Sequence, residues 1–530
     1  MSAPPWWQKA VIYEIYPRSF QDSDGDGVGD LAGILQRVDY LSWLGVDAVW
    51  ICPIYPSPMA DFGYDVADYT AIDPLFGTMA DFKRLIAALH ERGIRLILDF
   101  VPNHTSDQHP WFREARASRG SPRRDWYIWR DPGPDGGPPN NWVSQAGGSA
   151  WELDPRTGQY YYHAFLKEQP DLNWRNPAVR AAMYDALRFW LDKGVDGFRV
   201  DVLWHMIKDA EFRDDPWNPA YVEGQPDFRR VRAVYSADQP EVLEIAQEMR
   251  GVLAEYPGDR LLIGEIYLPV ERLAAYYGAD LGAVHLPFNF NLMWAPWRPD
   301  AIMHLISSYE AVLPPGGWPS WVLGNHDQMR IASRLGPAQA RVAMMLLLTL
   351  RGTPTLYYGD ELGLTNVPIP AGRERDPFGI RQPGTGQGRD PVRTPMPWDR
   401  TATGGFTTGA PWLPLGEHHA RYSVEAQKPD PKSMLALTRA LLDLRRRERA
   451  LSLGDWSPLA VAGDVLAFAR THNERRVAVV LNLDPAPKSV RFEEPLSGRI
   501  ALSTDPKRAD DQVGGSLELA ADEAVIIVSA

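Results

Sequence analysis

VDGFRVDV, at residues 195–202, is a short β-rich run that decides the fold, because an amphipathic helical pattern leads directly into it. The helical pattern covers residues 177–193, and Gly194 follows it as a C-cap. Apart from Asp196, Arg199 and Asp201, the run is apolar enough to be buried. A helix that turns into a buried strand is the repeating unit of a parallel sheet covered by helices.

The same alternation extends along most of the chain from residue 10 onward. Helical patterns with apolar residues at i, i+3 and i+4 lie between most of the β-rich runs. Eight such runs predict an α/β fold, the (β/α)8 TIM barrel. The predicted strands cover residues 10–18, 46–54, 94–102, 195–202, 260–268, 283–289, 320–327 and 353–361. The predicted helices cover residues 30–44, 79–92, 177–193, 239–256, 300–312 and 338–350, and a last helix at 433–450 closes the barrel.

Two long segments interrupt this alternation, and a third follows it. Residues 103–172 are rich in Pro, Gly, Asn and aromatic residues and are too long for a plain loop, so an inserted subdomain is predicted after the third strand. Residues 363–432, after the eighth strand, are similarly loop-like. Short β-rich runs predict a C-terminal antiparallel β-sandwich domain over residues 455–530. The barrel is therefore assigned to residues 1–102 and 173–454.

Composition and charge exclude several classes of function. The 55 basic and 68 acidic residues give a net charge of −13, so no nucleic-acid or membrane partner is expected. The longest basic cluster, Arg445–Arg447 with Arg449, lies on an amphipathic helical pattern and is interpreted as a solvated face. Cys52 is the only cysteine and is interpreted as a small core residue. The lack of disulfides and of a secretory signal pattern predicts a cytoplasmic protein, and the oligomeric state is left open.

Acidic residues stand at or near the C-terminal ends of four predicted strands, where a (β/α)8 barrel carries its reactive groups. These residues are Asp99, Asp201, Glu265 and Asp327. Each lies in an apolar run, where an unpaired carboxylate would be costly. A single acid in such a place is more often a cap or an ion-pair partner, but four on one barrel indicate a shared site.

Neighbouring residues indicate how these charges are balanced. Arg199 stands two residues before Asp201, so both lie on one face of the strand and the guanidinium can keep the carboxylate ionised. His104 and His326 are expected to be neutral donors to the hydroxyls of a ligand. This set suits glycosidic chemistry, which needs one ionised nucleophile and one protonated acid.

Four motifs resemble, in order and spacing, those of the α-amylase family, which is family 13 of the glycoside hydrolases. They are DFVPNHTS (99–106), GFRVDVLWH (197–205), GEIYLP (264–269) and GNHDQ (324–328). Three further runs also match: GVDAVWICPIYPSP (45–58), QPDLNW (169–174) and GTPTLYYGDELG (352–363). The last two have the form seen in oligo-1,6-glucosidases and related α-glucosidases, so the chain most resembles bacterial exo-acting α-glucosidases.

The resemblance implies a role for each matching residue. Asp201 would be the nucleophile, Glu265 the general acid/base, and Asp327 the carboxylate that grips sugar hydroxyls in the transition state. The resemblance also implies that the terminal glucose is held by Asp61, Tyr64, His104, Arg199 and His326, with Tyr64 as a stacking platform. Arg393 is expected to pair with Asp61 and to close the pocket, which implies exo action.

Local sequence is compatible with these roles. Glu265 has no cation next to it in sequence and could therefore hold a proton, whereas Asp201 lies near Arg199. Phe165 could line the pocket or belong to the core. Val202, directly after the nucleophile, is the residue that accompanies cleavage of α-1,6 bonds in the relatives that the chain resembles. The alternative is that Val202 merely packs at a strand end.

The loop DSDGDGVGD (22–30) has the alternating oxygen donors of a calcium loop, with Gly27 at its sharp turn. It departs from an EF-hand, because Gly33 stands where the bidentate Glu would be. The pattern alone leaves open whether the loop binds Ca²⁺ or is a turn of solvated acids, and the resemblance favours a structural Ca²⁺. The predicted ligands are Asp22, Asp24, Asp26, the Val28 carbonyl and Asp30.

The sequence therefore predicts a retaining exo-α-glucosidase that releases glucose from short α-glucosides with α-1,6 and α-1,4 linkages. Its partner would be a small oligosaccharide, and no organic cofactor is expected. A transglucosylase or a trehalose-synthase-like isomerase would use the same three acids. A non-catalytic sugar-binding or transporter-accessory protein is the alternative from another class, but such relatives lose catalytic acids or gain a membrane anchor.

Overall fold

The barrel is the central feature of the computed structural model, which describes residues 4–462, 464–493 and 496–529. Eight parallel strands follow one another around the sheet in chain order, with the eighth beside the first. A parallel bridge between Asn289 and Trp321 joins the sixth strand to the seventh and closes the barrel. The strands are Ile12–Ile15, Ala48–Ile51, Arg95–Phe100, Gly197–Val200, Leu261–Gly264, Leu286–Pro287, Ser320–Val322 and Thr353–Tyr357. The predicted fold class is thus confirmed.

The predicted helices are also present, with small differences in their bounds. They are Leu31–Gln36, Val38–Leu44, Met79–Glu91, Pro177–Leu191, Val242–Ala254, Pro299–Val312, Ile331–Thr349 and Met434–Arg447. Gly45, Gly93 and Gly194 all have positive φ, as expected for residues that end helices. The helix Ile331–Thr349 is broken at Gly336 (φ 80°, ψ 160°), which explains why its apolar periodicity begins only after this point.

The segment between the third and fourth strands forms a small structure of its own. It contains a helix, Pro110–Ala115, and an antiparallel sheet of Trp129–Arg130, Trp151–Asp154 and Gln159–Tyr162. Aromatic side chains, among them Trp142, fill its core, which accounts for the unusual composition of the segment. The predicted insertion after the third strand is therefore present.

In its described residues, the C-terminal segment forms a nine-stranded antiparallel sheet. Its side chains alternate between two cores: Leu466 and Phe468 pack with the barrel core, whereas Ala467 packs in a separate cluster on the other face. The sheet thus covers one side of the barrel. Its strands are Asp455–Pro458, Val461–Ala462, Leu466–His472, Arg475–Leu481, Lys488–Phe492, Ser497–Ser503, Gln512–Gly514, Ser516–Leu519 and Ala524–Ser529.

Two further segments carry little regular structure but matter for the site. Residues 203–241, after the fourth strand, contain only short 3₁₀ turns, Leu203–His205 and Asp227–Arg230. The long segment after the eighth strand contains the short helices Pro377–Arg381, His419–Tyr422 and Val424–Gln427. Both segments extend over the C-terminal ends of the strands and contribute to the cavity described below.

The interpretation of the Arg445–Arg447 cluster as a solvated face was wrong for Arg445. This side chain is buried, and its guanidinium donates to the carbonyls of Leu348, Gly352 and Leu451. The end of the helix Ile331–Thr349 leaves carbonyl groups without partners inside that helix, and Arg445 satisfies one of them. Cys52, in contrast, is buried as expected. Within the described part of the chain, no helix is both long and apolar enough to span a membrane.

Candidate active site

A cavity of about 680 Å³ opens at the C-terminal ends of the barrel strands. Most of the predicted site residues line it, although they come from separate strands and loops. They are Asp61, Tyr64, His104, Phe165, Asp201, Val202, Glu265 and Asp327. Three other predicted residues, Arg199, His326 and Arg393, are fully buried directly behind these side chains.

Arg199 lies at the centre of the acidic cluster at the bottom of this cavity. Its guanidinium nitrogens lie 2.9 Å from Asp99 Oδ1, 2.7 Å from Asp201 Oδ1 and 2.7 Å from Glu265 Oε1. The strand register explains these contacts, since Arg199 is directly opposite Asp99 on one side and opposite Ile263 on the other. One buried cation thus serves three carboxylates contributed by three adjacent strands.

The contact with Arg199 corrects the expectation that Glu265 lacks a cation. Sequence adjacency was misleading, because the cation comes from the neighbouring strand. Burial still raises the pKa of Glu265 above its usual range, although Arg199 opposes this effect. Burial also raises the pKa of Asp201, against the opposing charge of Arg199. Because the two acids interact closely, they titrate as a pair and can hold one proton between them.

The backbone of Val202 holds the other oxygen of Glu265. The Val202 N–H donates to Glu265 Oε2 at 2.8 Å. Val202 has φ 38° and ψ 43°, a left-handed conformation that is unusual for a β-branched residue. The alternative reading of Val202 as simple strand-end packing is therefore incomplete, since its strained backbone aims an N–H at a predicted catalytic acid.

Two arginines hold Asp327 on the opposite side of the cavity. Arg393 Nη2 lies 2.6 Å from Asp327 Oδ1, and Arg389 Nη1 lies 3.4 Å from the same oxygen. Burial alone would raise the pKa of Asp327, but the neighbouring His326 and the two guanidinium groups lower it well below its usual range. Asp327 is consequently ionised throughout the neutral pH range.

The expected pairing of Arg393 with Asp61 was wrong, because the partner of Asp61 is Arg389. Arg389 Nη2 lies 2.5 Å from Asp61 Oδ1 and 2.6 Å from Asp376 Oδ1. Arg393 points instead to Asp327 and to the carbonyl of His326. The two arginines are four residues apart in the same loop, so the motif VRTPMPWD located the right segment but not the right guanidinium.

Tyr64 and His326 form a stacked pair at the base of the cavity. Their rings are 5.3 Å apart and nearly parallel, and Tyr64 Oη lies 2.7 Å from His326 Nε2 and 2.9 Å from Asp99 Oδ2. On the far side, His326 Nδ1 lies 2.6 Å from Glu14 Oε1. Sequence analysis missed Glu14, a fully buried acid at the end of the first strand.

His104 and Phe165 form another part of the wall. Burial lowers the pKa of His104 to about 4, so the ring is neutral as expected. Its Nε2 lies 3.0 Å from the Tyr64 carbonyl and 3.1 Å from Gln169 Nε2. The ring of Phe165 packs against His104 with centroids 5.3 Å apart, so Phe165 lines the cavity as well as joining a core cluster.

The rim of the cavity carries apolar residues that the sequence analysis did not single out. Trp294 and Met329 line the cavity and are 54% and 55% exposed. The segment after the fourth strand adds Phe228 and Val231 to the wall. No local motif separates these residues from ordinary core aromatics and aliphatics, so only their position in the fold reveals them.

The predicted calcium loop is compact, and three of its acids converge. Carboxylate oxygens of Asp22, Asp24 and Asp30 lie within 4.8 Å of one another, whereas Asp26 is outside this group. Asp26 accepts the N–H of Val28 at 2.7 Å, and the three converging carboxylates also accept main-chain N–H groups of the loop and its flanks. At Gly27 (φ 92°) a Cβ would lie 2.0 Å from the carbonyl oxygen of residue 410, so the sharp turn requires glycine.

The arrangement of acids, arginines and histidines at the strand ends agrees with comparisons against known proteins. Residues 14–454 match the family described as alpha amylase, catalytic domain. The chain belongs to the α-amylase family. Because this match begins within the first barrel strand and extends through the last barrel helix, the chain is a glycoside hydrolase, as the motifs predicted.

Individual relatives of the family share most of their length with this chain. A probable alpha-glucosidase of Rhizobium meliloti (strain 1021) is 40% identical over 513 residues, which is 93% of each chain. An oligo-1,6-glucosidase of Parageobacillus thermoglucosidasius is 40% identical over 520 residues, which is 90% of each chain. A solved structure described as the alpha-glucosyl transfer enzyme XgtA superposes with a TM-score of 0.94, at 42% identity and with all of both chains covered.

Proposed function

We propose that the protein is a retaining exo-α-glucosidase that releases terminal glucose from short α-glucosides. The observation that supports this proposal most directly is the pair Asp201 and Glu265, held by one guanidinium at the base of a walled cavity. A buried acid pair that holds one proton can supply both a nucleophile and a proton donor. The glucosidase names of relatives that align over nine-tenths of the chain support the same conclusion.

In the proposed mechanism, ionised Asp201 attacks the anomeric carbon and forms a glycosyl ester. Glu265 transfers its proton to the glycosidic oxygen as the bond to the leaving sugar breaks. Glu265, now ionised, then removes a proton from water, which attacks the anomeric carbon and releases Asp201. Two inversions give net retention, and the permanently ionised Asp327 would bind sugar hydroxyls as positive charge develops on the ring.

Exo action is supported by the pair of Asp61 and Arg389. This ion pair and Tyr64 lie on the cavity wall and would block a sugar chain on that side. The cavity is open at the rim, where Trp294 is exposed. A chain would therefore enter with its non-reducing end first and place one glucose beyond the catalytic acids.

For linkage, we expect isomaltose to be cleaved and maltose to be a poorer substrate. Val202 lines the cavity beside both catalytic acids and offers only methyl groups to the next sugar. A matched panel of isomaltose, maltose, sucrose and trehalose, with NMR detection of the first-formed anomer, tests the proposal. Release of α-glucose from isomaltose is expected. A β anomer would contradict the mechanism, and cleavage of maltose with none of isomaltose would contradict the linkage.

Glucosyl transfer is the second candidate activity, supported by the apolar rim. Exposed Trp294 and Met329 could hold an acceptor in place of water, and the relative XgtA is described as an alpha-glucosyl transfer enzyme. Products formed from maltose at high concentration distinguish the two activities. Glucose alone indicates hydrolysis, whereas new disaccharides or trisaccharides indicate transfer.

We also propose that the loop at residues 22–30 binds a structural Ca²⁺. The donor chemistry supports this, because carboxylate oxygens are the ligands that Ca²⁺ prefers and three of them converge. Calcium should raise the melting temperature by mass action without changing kcat, since the loop holds none of the cavity residues. Melting curves in EGTA and in millimolar Ca²⁺ test this. If neither Ca²⁺ nor Asp24→Ala shifts the melting temperature, the loop is a turn of solvated acids.

The location that we propose is the cytoplasm. The single buried cysteine makes the fold independent of disulfides, which is typical of proteins from reducing compartments. Fractionation of cells that produce the protein, with glucosidase activity as the readout, tests this. Activity confined to the medium or to an extracytoplasmic fraction would contradict it.

A further inference from the structure

A second cavity, of about 570 Å³, lies at the N-terminal end of the barrel. Its walls include the first described residues, the turns before the second and third strands, and the last barrel helix with the short helix that follows it. The catalytic cavity lies at the C-terminal ends of the same strands, so the two cavities are on opposite faces of the barrel. The second cavity shares no lining residue with the proposed active site, so the glucosidase function does not account for it.

Positive charge is the main feature of this cavity. Among the described residues of its lining, five are basic, whereas Asp47 is the one acid. This local excess of positive charge is opposite in sign to the net charge of the whole chain, which is −13. The basic residues are Lys9, Arg95, Arg445, Arg446 and Arg449.

Protein groups neutralise only part of this charge. Arg95 lies 2.9 Å from Asp196 and Arg446 lies 3.3 Å from Asp47. For Lys9 and Arg449, the residues that the structure describes provide no ion pair. Both side chains are exposed at the cavity and are therefore free to contact a ligand.

Arg445 adds a buried charge with which no described carboxylate forms an ion pair. Its guanidinium nitrogens donate to main-chain carbonyls, and its Nε, also buried, has no partner among the described atoms. Burial lowers the pKa of Arg445 only to about 10, so the side chain stays charged at neutral pH. A buried cation without an anion is costly, and a bound anion in the cavity would compensate it.

We propose that this cavity binds a small phosphorylated metabolite. A phosphate group carries acceptor oxygens that Arg449 and Lys9 would satisfy, and its negative charge would offset that of buried Arg445. The ring of Trp6 forms an apolar part of the lining, on which a sugar or base attached to the phosphate could lie. The volume is in the range of small-molecule sites.

Binding at this position would join parts of the chain that are far apart in sequence. The ligand would connect Lys9, in the first helix, with Arg449, in the short helix that leads to the C-terminal sheet. It should therefore raise the melting temperature and leave kcat unchanged, because the cavity lies at the other end of the barrel.

Isothermal titration with glucose 6-phosphate and with inorganic phosphate tests the proposal. We expect glucose 6-phosphate to bind with a Kd below about 1 mM. We expect inorganic phosphate to bind about tenfold more weakly, because it lacks the part that contacts Trp6. The double substitution Lys9→Gln with Arg449→Gln should weaken binding of glucose 6-phosphate at least about tenfold.

The matched control is Arg113→Gln, which removes an exposed arginine of the inserted segment, far in sequence from the cavity. It should leave binding unchanged. Equal affinity of the double variant and the wild type would overturn the proposal, as would competition between glucose 6-phosphate and the glucoside substrate. No binding by the wild type up to about 10 mM would also overturn it. Equal affinity for the two phosphates would exclude an organic ligand.

Discussion

Replacing Arg389 with methionine should disable the closed end of the sugar pocket. This guanidinium contacts Asp61, Asp376 and Asp327, and its side chain is only 11% exposed. Methionine keeps most of the volume and removes the charge. Asp327 retains Arg393, but among the described residues Asp61 then has no other ion-pair partner.

The magnitude follows from leaving a buried carboxylate without its cation. Removing one partner of a buried ion pair has a free-energy cost of about 3–5 kcal/mol. Because Arg389 is slightly exposed, we expect a cost in the lower half of that range. If the whole cost appears in the transition state, kcat/KM falls about 150-fold at 3 kcal/mol and about 5,000-fold at 5 kcal/mol. Arg389→Lys should lie between the wild type and the methionine variant, because a single ammonium cannot reach three carboxylates at once.

The assay measures kcat/KM on isomaltose together with the products formed from a linear α-1,4 heptasaccharide. The variant should lose kcat/KM and release some fragments longer than glucose, since the wall beyond the terminal sugar is weakened. Arg373→Met, which changes an exposed arginine of the same loop, is the matched control. If Arg389→Met stays within about threefold of the wild type and releases only glucose, the pocket does not depend on this ion pair.

Substitutions at four further positions test the remaining assignments. Asp201→Asn and Glu265→Gln should each lower kcat by several orders of magnitude with little change in melting temperature, and activity within about tenfold of the wild type would contradict their roles. Val202→Thr should shift the ratio of kcat/KM values toward maltose by less than about tenfold, the value of one hydrogen bond, and an unchanged ratio would leave Val202 without a role in linkage. Glu14→Leu should lower kcat/KM by about 5- to 150-fold, because His326 Nδ1 loses its buried partner. Glu14→Gln should retain most of the activity, because its amide can still contact His326. Equal losses of kcat/KM in the two variants would exclude this contact as the cause. The dependence of kcat/KM on pH, measured for both Glu14 variants, separates an effect on His326 from a general loss of packing.

The barrel was predictable because its signal is local and repeated. Alternating helical and β-rich runs, closed by glycines such as Gly45 and Gly194, define each unit without knowledge of its neighbours. The acids at the strand ends were predictable for the same reason, since parallel strands end on one face. The fold class and the insertion after the third strand follow from these patterns alone.

Contacts between strands and loops were not predictable, because they depend on register and on the conformation of long loops. Arg199 contacts Glu265 from the neighbouring strand, and no residue near Glu265 in the sequence indicates this cation. The choice between Arg389 and Arg393 as partner of Asp61 depends on the shape of a long loop that carries only short helical turns. Arg445 was misread because helix periodicity says which face is buried only approximately, and a buried arginine needs carbonyl partners that the sequence does not reveal.

The main chain and the side chain of Val202 make different contacts, so one can change while the other stays the same. Its N–H donates to Glu265, which we propose as the acid/base, while its side chain lines the cavity. Because an N–H is common to every residue except proline, the side chain here can change without withdrawing support from the acid. If the proposed roles hold, a substitution at this position would change the linkage preference while the main-chain hydrogen bond to Glu265 is kept.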